Sequence, residues 1–162
     1  MMNMGKIEVI YGNGTSKSEL ALGRGIKAMT LHKSVIVIQF LKGCQRKEEL
    51  EVYARLEPQI KVFCFEKSDC NFEQLSDPEK QDELMNIRNC INYTRKVLTT
   101  GECDLLILDG VLGLVRHGIL KVEELEALLA VRDEADVLLT GNELPDSVRK
   151  MADRIEYVQV DK

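Results

Sequence analysis

The sequence predicts an α/β fold, a mostly parallel sheet with helices on both faces, carried as one domain by 162 residues. Apolar runs alternate with segments of helical period from one end to the other, the signature of βαβ units. The run Val35-Ile36-Val37-Ile38-Gln39-Phe40 is apolar almost without a break, as a strand buried on both faces must be. The first apolar run stops abruptly at Gly12-Asn13-Gly14, a turn that feeds straight into a helical segment.

Taken in order, residues 7–11 read as the first strand and 18–31 as a helix. Gly23 and Gly25 lie inside that helix. Each disfavours it by about 1 kcal/mol against alanine, so close approach to a neighbouring strand is expected. Residues 35–40 form the second strand, and 46–56 a short amphipathic helix closed before Pro58. A third strand covers 60–65. The polar, irregular stretch 66–77 follows, a loop long enough to suggest function. Pro78 opens a helix that runs to about Thr99 and stops at Gly101, with Leu84, Ile87, Ile91, Thr94 and Leu98 on one face. Residues 104–109 make a fourth strand that ends in Asp109. A helix over 122–131, a strand over 135–140, a helix over 145–152 and a strand over 155–160 complete the pattern.

Composition narrows the function. Twenty-two basic residues stand against 27 acidic ones, a net charge of −5. With no basic stripe, a nucleic-acid partner is not expected. No apolar run reaches the roughly 20 residues of a membrane span, and residues 1–6 lack a secretory layout. Cys44, Cys64, Cys70, Cys90 and Cys103 form no C-x-x-C pair, so reduced thiols and a cytoplasmic setting are expected. His32 and His117 are too far apart in sequence to suggest a histidine metal site.

The segment Gly12-Asn13-Gly14-Thr15-Ser16-Lys17-Ser18 carries the chemistry. A loop between strand and helix aims backbone N–H groups and the positive helix end at a phosphate. Glycines allow close approach, Lys17 supplies a mobile charge, and the Ser18 hydroxyl suits Mg²⁺. The strict pattern G-x-x-x-x-G-K-[ST] is not met, because Tyr11 and Ser16 replace its glycines. An ordinary turn before a serine-capped helix is the competing reading. Asp109, ending a hydrophobic strand, is a second magnesium candidate. Together these features predict a three-layer P-loop NTPase-like (RecA-like) domain.

Gly12-Asn13-Gly14, then Lys17-Ser18, then Val37-Ile38-Gln39-Phe40-Leu41-Lys42-Gly43 resemble the ATP:corrinoid adenosyltransferase family. There a G-N-G-K-G-K-[ST]-[ST] loop precedes a strand ending V-Q-F-x-K-G. The resemblance continues through Asp104 to Asp109, Gly118-Ile119-Leu120 and Glu123-Glu124-Leu125. It ends with Leu138-Leu139-Thr140-Gly141-Asn142, Leu144-Pro145-Asp146 and Ala152-Asp153, where the family reads T-G-R-x-x-P and L-A-D.

This resemblance implies transfer of the 5′-deoxyadenosyl group of ATP to a Co(I) corrinoid, cob(I)alamin or cob(I)yrinic acid a,c-diamide, with release of triphosphate. It implies ATP and Mg²⁺ as cofactors, a corrinoid substrate, an electron donor that reduces the corrinoid, and a homodimer. The protein would supply positioning and charge neutralisation rather than a catalytic base. Gly12 to Ser18 would hold the phosphates, and Ser18 with Asp109 the metal. Gln39, Lys42 and Asn142 would edge the nucleotide, and Phe65 and Phe72 would face the corrinoid, with core packing as the competing role for those two rings.

The departures from the family loop are specific. Thr15 replaces a lysine, Ser16 a glycine, Glu19 a hydroxyl residue, Gly110 an acid and Asn142 an arginine. If the turn is left-handed at Ser16, its strain is about 1–2 kcal/mol. Glu19, placed about 8 Å from the phosphates at an effective dielectric of 20, repels them by about 2 kcal/mol. A catalytically silent homologue that binds a corrinoid or a partner protein is therefore the alternative function. A kinase or GTPase-like enzyme ranks third, since no N-K-x-D stretch is present.

Overall fold

The computed structural model describes residues 4–41, 47–68 and 71–162. Six strands form one sheet: β1 (Ile7–Gly12), β2 (Val35–Gln39), β3 (Ile60–Cys64), β4 (Leu105–Asp109), β5 (Asp136–Gly141) and β6 (Arg154–Val158). Their order is β3-β2-β4-β5-β1-β6, and every pairing is parallel. The expected "mostly parallel" sheet is thus wholly parallel among the described residues. Central strands read as unbroken apolar runs because helices cover both of their faces.

Helix α1 (Lys17–Thr30) packs on one face, with Ala21 and Ala28 against Ile10, Val35, Val37, Ile107 and Leu138. Gly25 explains itself there: an added Cβ would meet Ile107 and Val35 side chains at 3.3 Å. Gly23 meets nothing within 4 Å, so close packing accounts for one of the two helix glycines. Helix α2 (Lys47–Leu56) lies beside β3, and none of its residues is buried.

The opposite face carries α3 (Asp77–Thr100), α4 (Val111–Arg116), α5 (Val122–Ala130) and α6 (Asp146–Met151). Helix α3 starts at a capping box in which Glu79 N–H donates to Ser76 Oγ and Ser76 N–H donates to Glu79 Oε2. It stops at left-handed Gly101, as the sequence indicates. Ile87, Ile91, Thr94 and Leu98 are buried along it, joined by an unexpected Glu83. The Glu83 carboxylate is satisfied by Lys67 N–H at 3.0 Å and Asn86 Nδ2 at 2.9 Å.

Several boundaries move. β3 ends at Cys64, so Phe65 stands just beyond it, and β6 is shifted to Arg154–Val158. Residues 72–74 form a 3₁₀ turn within the expected loop. Helix α4 goes beyond the sequence expectation, which has no element over residues 110–121; Val111, Leu112 and Leu114 are buried and hold it in place.

Candidate functional site

Ligands of open parallel sheets bind outside the carboxyl ends of the strands. The loop 12–18 lies there, between β1 and α1. Gly12 and Gly14 have φ of 133° and 104°. A Cβ on Gly12 would stand 2.0 Å from the Val158 carbonyl oxygen, and one on Gly14 2.6 Å from Val160. Only glycine fits these positions. Ser16 is different: at φ −80° and ψ −5° it is right-handed. The strain considered for it does not exist, so the family's glycine at that place is not required by this backbone.

Lys17 is 8% exposed and folds back over the loop, its Nζ donating to the carbonyls of Gly12 at 2.8 Å and Gly14 at 2.6 Å. That geometry encloses the loop around an ammonium, a charged donor of the kind that phosphate oxygens accept from. Asn13 and Thr15 are exposed on the same loop, and Glu19 is exposed on the first turn of α1.

Ser18 Oγ donates to Asp109 Oδ1 at 3.0 Å, so the hydroxyl and the carboxylate lie together although 91 residues separate them. Both are hard oxygen ligands. Mg²⁺ commonly takes only one or two protein oxygens and completes its octahedron with water and substrate phosphate. The pair fits that cation. Among the described residues no group of three or more His, Cys, Asp or Glu could hold a metal by itself.

Sequence reasoning missed one participant. Thr140 Oγ1 donates to the same Asp109 Oδ1 at 2.7 Å and accepts from Gly110 N–H at 2.7 Å. Thr140 stands in the Leu138-Leu139-Thr140-Gly141-Asn142 block of the family resemblance, but its contact with Asp109 becomes readable only when β5 is known to lie between β1 and β4. Gly110 itself has φ 86°, and a Cβ there would be 2.5 Å from the Phe40 carbonyl oxygen.

Gln39, half-buried at the end of β2, lines a slot of about 100 Å³ with Ser18, Glu19, Tyr53 and Asp109. Lys42 lies outside the described residues. Asn142 is exposed just past β5. Phe65 packs on the Tyr93 ring with centroids 5.6 Å apart. Phe72 instead edges a groove of about 710 Å³ whose floor includes Leu84, Ile87 and Ile91. Lys80 Nζ lies 5.9 Å from the Phe72 ring centre, and His117 Nδ1 3.2 Å from Glu73 Oε1. The two aromatic residues therefore have different surroundings.

A glycine loop joining β1 to α1, with Asp109 ending β4 two strands away, gives this chain an α/β fold of the P-loop NTPase type. The solved structure of a KaiC-like protein, PH0186 from Pyrococcus horikoshii OT3, shares the fold at a TM-score of 0.53 and 15% identity. The match covers 86% of this chain and 61% of that one, less than two thirds of its length. Within this class the chain belongs to the family ATP:corrinoid adenosyltransferase BtuR/CobO/CobP, whose model matches residues 3–162. The corrinoid adenosyltransferase of Escherichia coli K12 is 25% identical over 156 residues, spanning 96% of this chain and 76% of the relative. The protein of that name from Escherichia coli O6:H1 gives the same figures.

Proposed function

We propose that this chain binds Mg-ATP in the loop 12–18 and transfers its 5′-deoxyadenosyl group to a Co(I) corrinoid. In that reaction the Co(I) electron pair attacks C5′, a Co–C bond forms, the C5′–O bond breaks, and its electron pair leaves with triphosphate. The nucleophile arrives with the substrate, so no side chain has to activate water.

The observation that supports this most strongly is the meeting of Ser18 with Asp109, beside Lys17 in the loop, at the carboxyl ends of the strands. Gly110, which replaces an acid of the family, leaves no water-activating group after Asp109; alkyl transfer to Co(I) activates no water, so that departure weakens metal binding rather than the chemistry. Asp109, held by the Ser18 and Thr140 hydroxyls, is suited to accepting hydrogen bonds and holding a cation. Magnesium, when bound through Ser18 and Asp109, would supply charge neutralisation on the triphosphate. Lys17 and the loop amides would orient the phosphates, fixing C5′ for in-line attack. Phe72 and the groove beside α3 would receive part of the corrinoid and exclude water.

The test is anaerobic incubation of the protein with excess Mg-ATP and chemically reduced cob(I)alamin. A light-sensitive alkylcorrinoid and an equal amount of triphosphate are expected. ADP and phosphate in their place would overturn the reading in favour of an ATPase or kinase. Bound corrinoid with no transfer at millimolar ATP would identify a silent homologue, the reading that Thr15, Glu19, Gly110 and Asn142 favour.

A further inference from the structure

Thr140 is 2% exposed and sits in a strand whose neighbouring core positions are valine and leucine. Valine would fill the same volume there. A hydroxyl taken out of water is unfavourable by about 1–3 kcal/mol unless it is bonded, and this one is bonded on both sides. It accepts the Gly110 N–H and donates to Asp109 Oδ1, each at 2.7 Å.

The consequence for Asp109 is orientational. Oδ1 receives one hydroxyl from Ser18 on α1 and another from Thr140 on β5. Two donors from different elements fix the carboxylate plane before any ligand arrives. Through Gly110 the same hydroxyl also fixes the turn at which β4 passes into α4. We infer that Thr140 is a positioning residue for the metal–nucleotide site, holding the Asp109 carboxylate in the orientation that receives Mg²⁺ together with Ser18. This rests on the reading of Ser18 and Asp109 as the metal-holding pair. Thr140 acts through Asp109 and is not a ligand.

Calorimetric titration of ATP into the full chain, once with Mg²⁺ and once with EDTA, tests it. The parent should bind ATP more tightly with Mg²⁺. Thr140→Val should lose about tenfold of that magnesium-dependent gain or more, the usual effect of removing a group that orients a metal ligand. Its affinity in EDTA should stay within about twofold of the parent. Thr140→Ser, which keeps the hydroxyl, should retain the gain. In an Asp109→Ala background the valine change should add nothing to the loss, because groups that work through one another are not additive. Full magnesium dependence in Thr140→Val, an equal loss in Thr140→Ser, or additive effects with Asp109→Ala would each overturn the inference while leaving the nucleotide reading intact. A parent that binds ATP equally with Mg²⁺ and EDTA would overturn the metal reading and this inference together. Should the valine variant fail to fold, Thr140→Ser against Thr140→Ala reads the same contrast.

Discussion

Replacing Gly110 with alanine probes how tightly the turn after Asp109 is closed by the Phe40 carbonyl. Two effects add. The backbone at φ 86° is left-handed, which disfavours an L side chain by about 1–2 kcal/mol. The new Cβ would also stand 2.5 Å from the Phe40 carbonyl oxygen, where ordinary contact begins near 3.4 Å. Phe40 cannot simply retreat, because its N–H is bonded to the Asp109 carbonyl at 2.8 Å. Relieving such an overlap is worth about 1–3 kcal/mol. The stiffer unfolded chain gives back about 0.4–1 kcal/mol, leaving a net loss of about 2–4 kcal/mol. Gly101→Ala supplies the control: its φ is 63°, with nothing within 4 Å of the added carbon, so about 1 kcal/mol is expected from strain alone. Urea unfolding of the two variants beside the parent gives the difference directly. At about 2–4 °C per kcal/mol for a chain of this size, Gly110→Ala should melt at least about 4 °C lower than the parent. If the two substitutions destabilise equally, the Phe40 carbonyl does not close the site, and the exclusion of an acid at this position fails.

Lys17→Ala should weaken Mg-ATP binding by about 2–3 kcal/mol, the scale of a charge-assisted contact; unchanged calorimetric affinity would place the nucleotide elsewhere. Thr15→Lys with Glu19→Thr adds two units of positive charge near the loop and should tighten ATP binding at least about tenfold, about 1.4 kcal/mol. Ser16→Gly alone should tighten nothing, since Ser16 is already right-handed. Burial raises the thiols of Cys90 and Cys103 to about 12 each. At pH 8 both are therefore protonated, and mass spectrometry after brief alkylation of the folded protein should find them unmodified, with labelling appearing only in denaturant.

Most of the fold was legible because both its signals are local. Nearly unbroken apolar runs such as 35–40 mark strands covered on both faces, and Pro78 and Gly101 mark the ends of α3 within a few residues. Helix α4 was not legible. Its glycines argue against a helix, and what stabilises it is burial of Val111, Leu112 and Leu114 on a sheet that no short window contains. The site divides in the same way. The loop and Asp109 stood out because each has a chemical pattern of its own, whereas Thr140 depends on strand order. Ser16 shows the opposite error, since a missing glycine suggested strain that the backbone does not have.

Helix α2 has a consequence for how the molecule breathes. With no residue buried along its length, little apolar area would be exposed by lifting it from β3, so its opening free energy lies far below that of the sheet. Amide protons of α2 would exchange with solvent long before those of β2 or β4, and a protease would cut there first. Tyr53, one wall of the slot beside Ser18 and Asp109, travels with that helix. Local opening of α2 would therefore enlarge this slot of about 100 Å³ without disturbing the strands that hold the loop and the carboxylate.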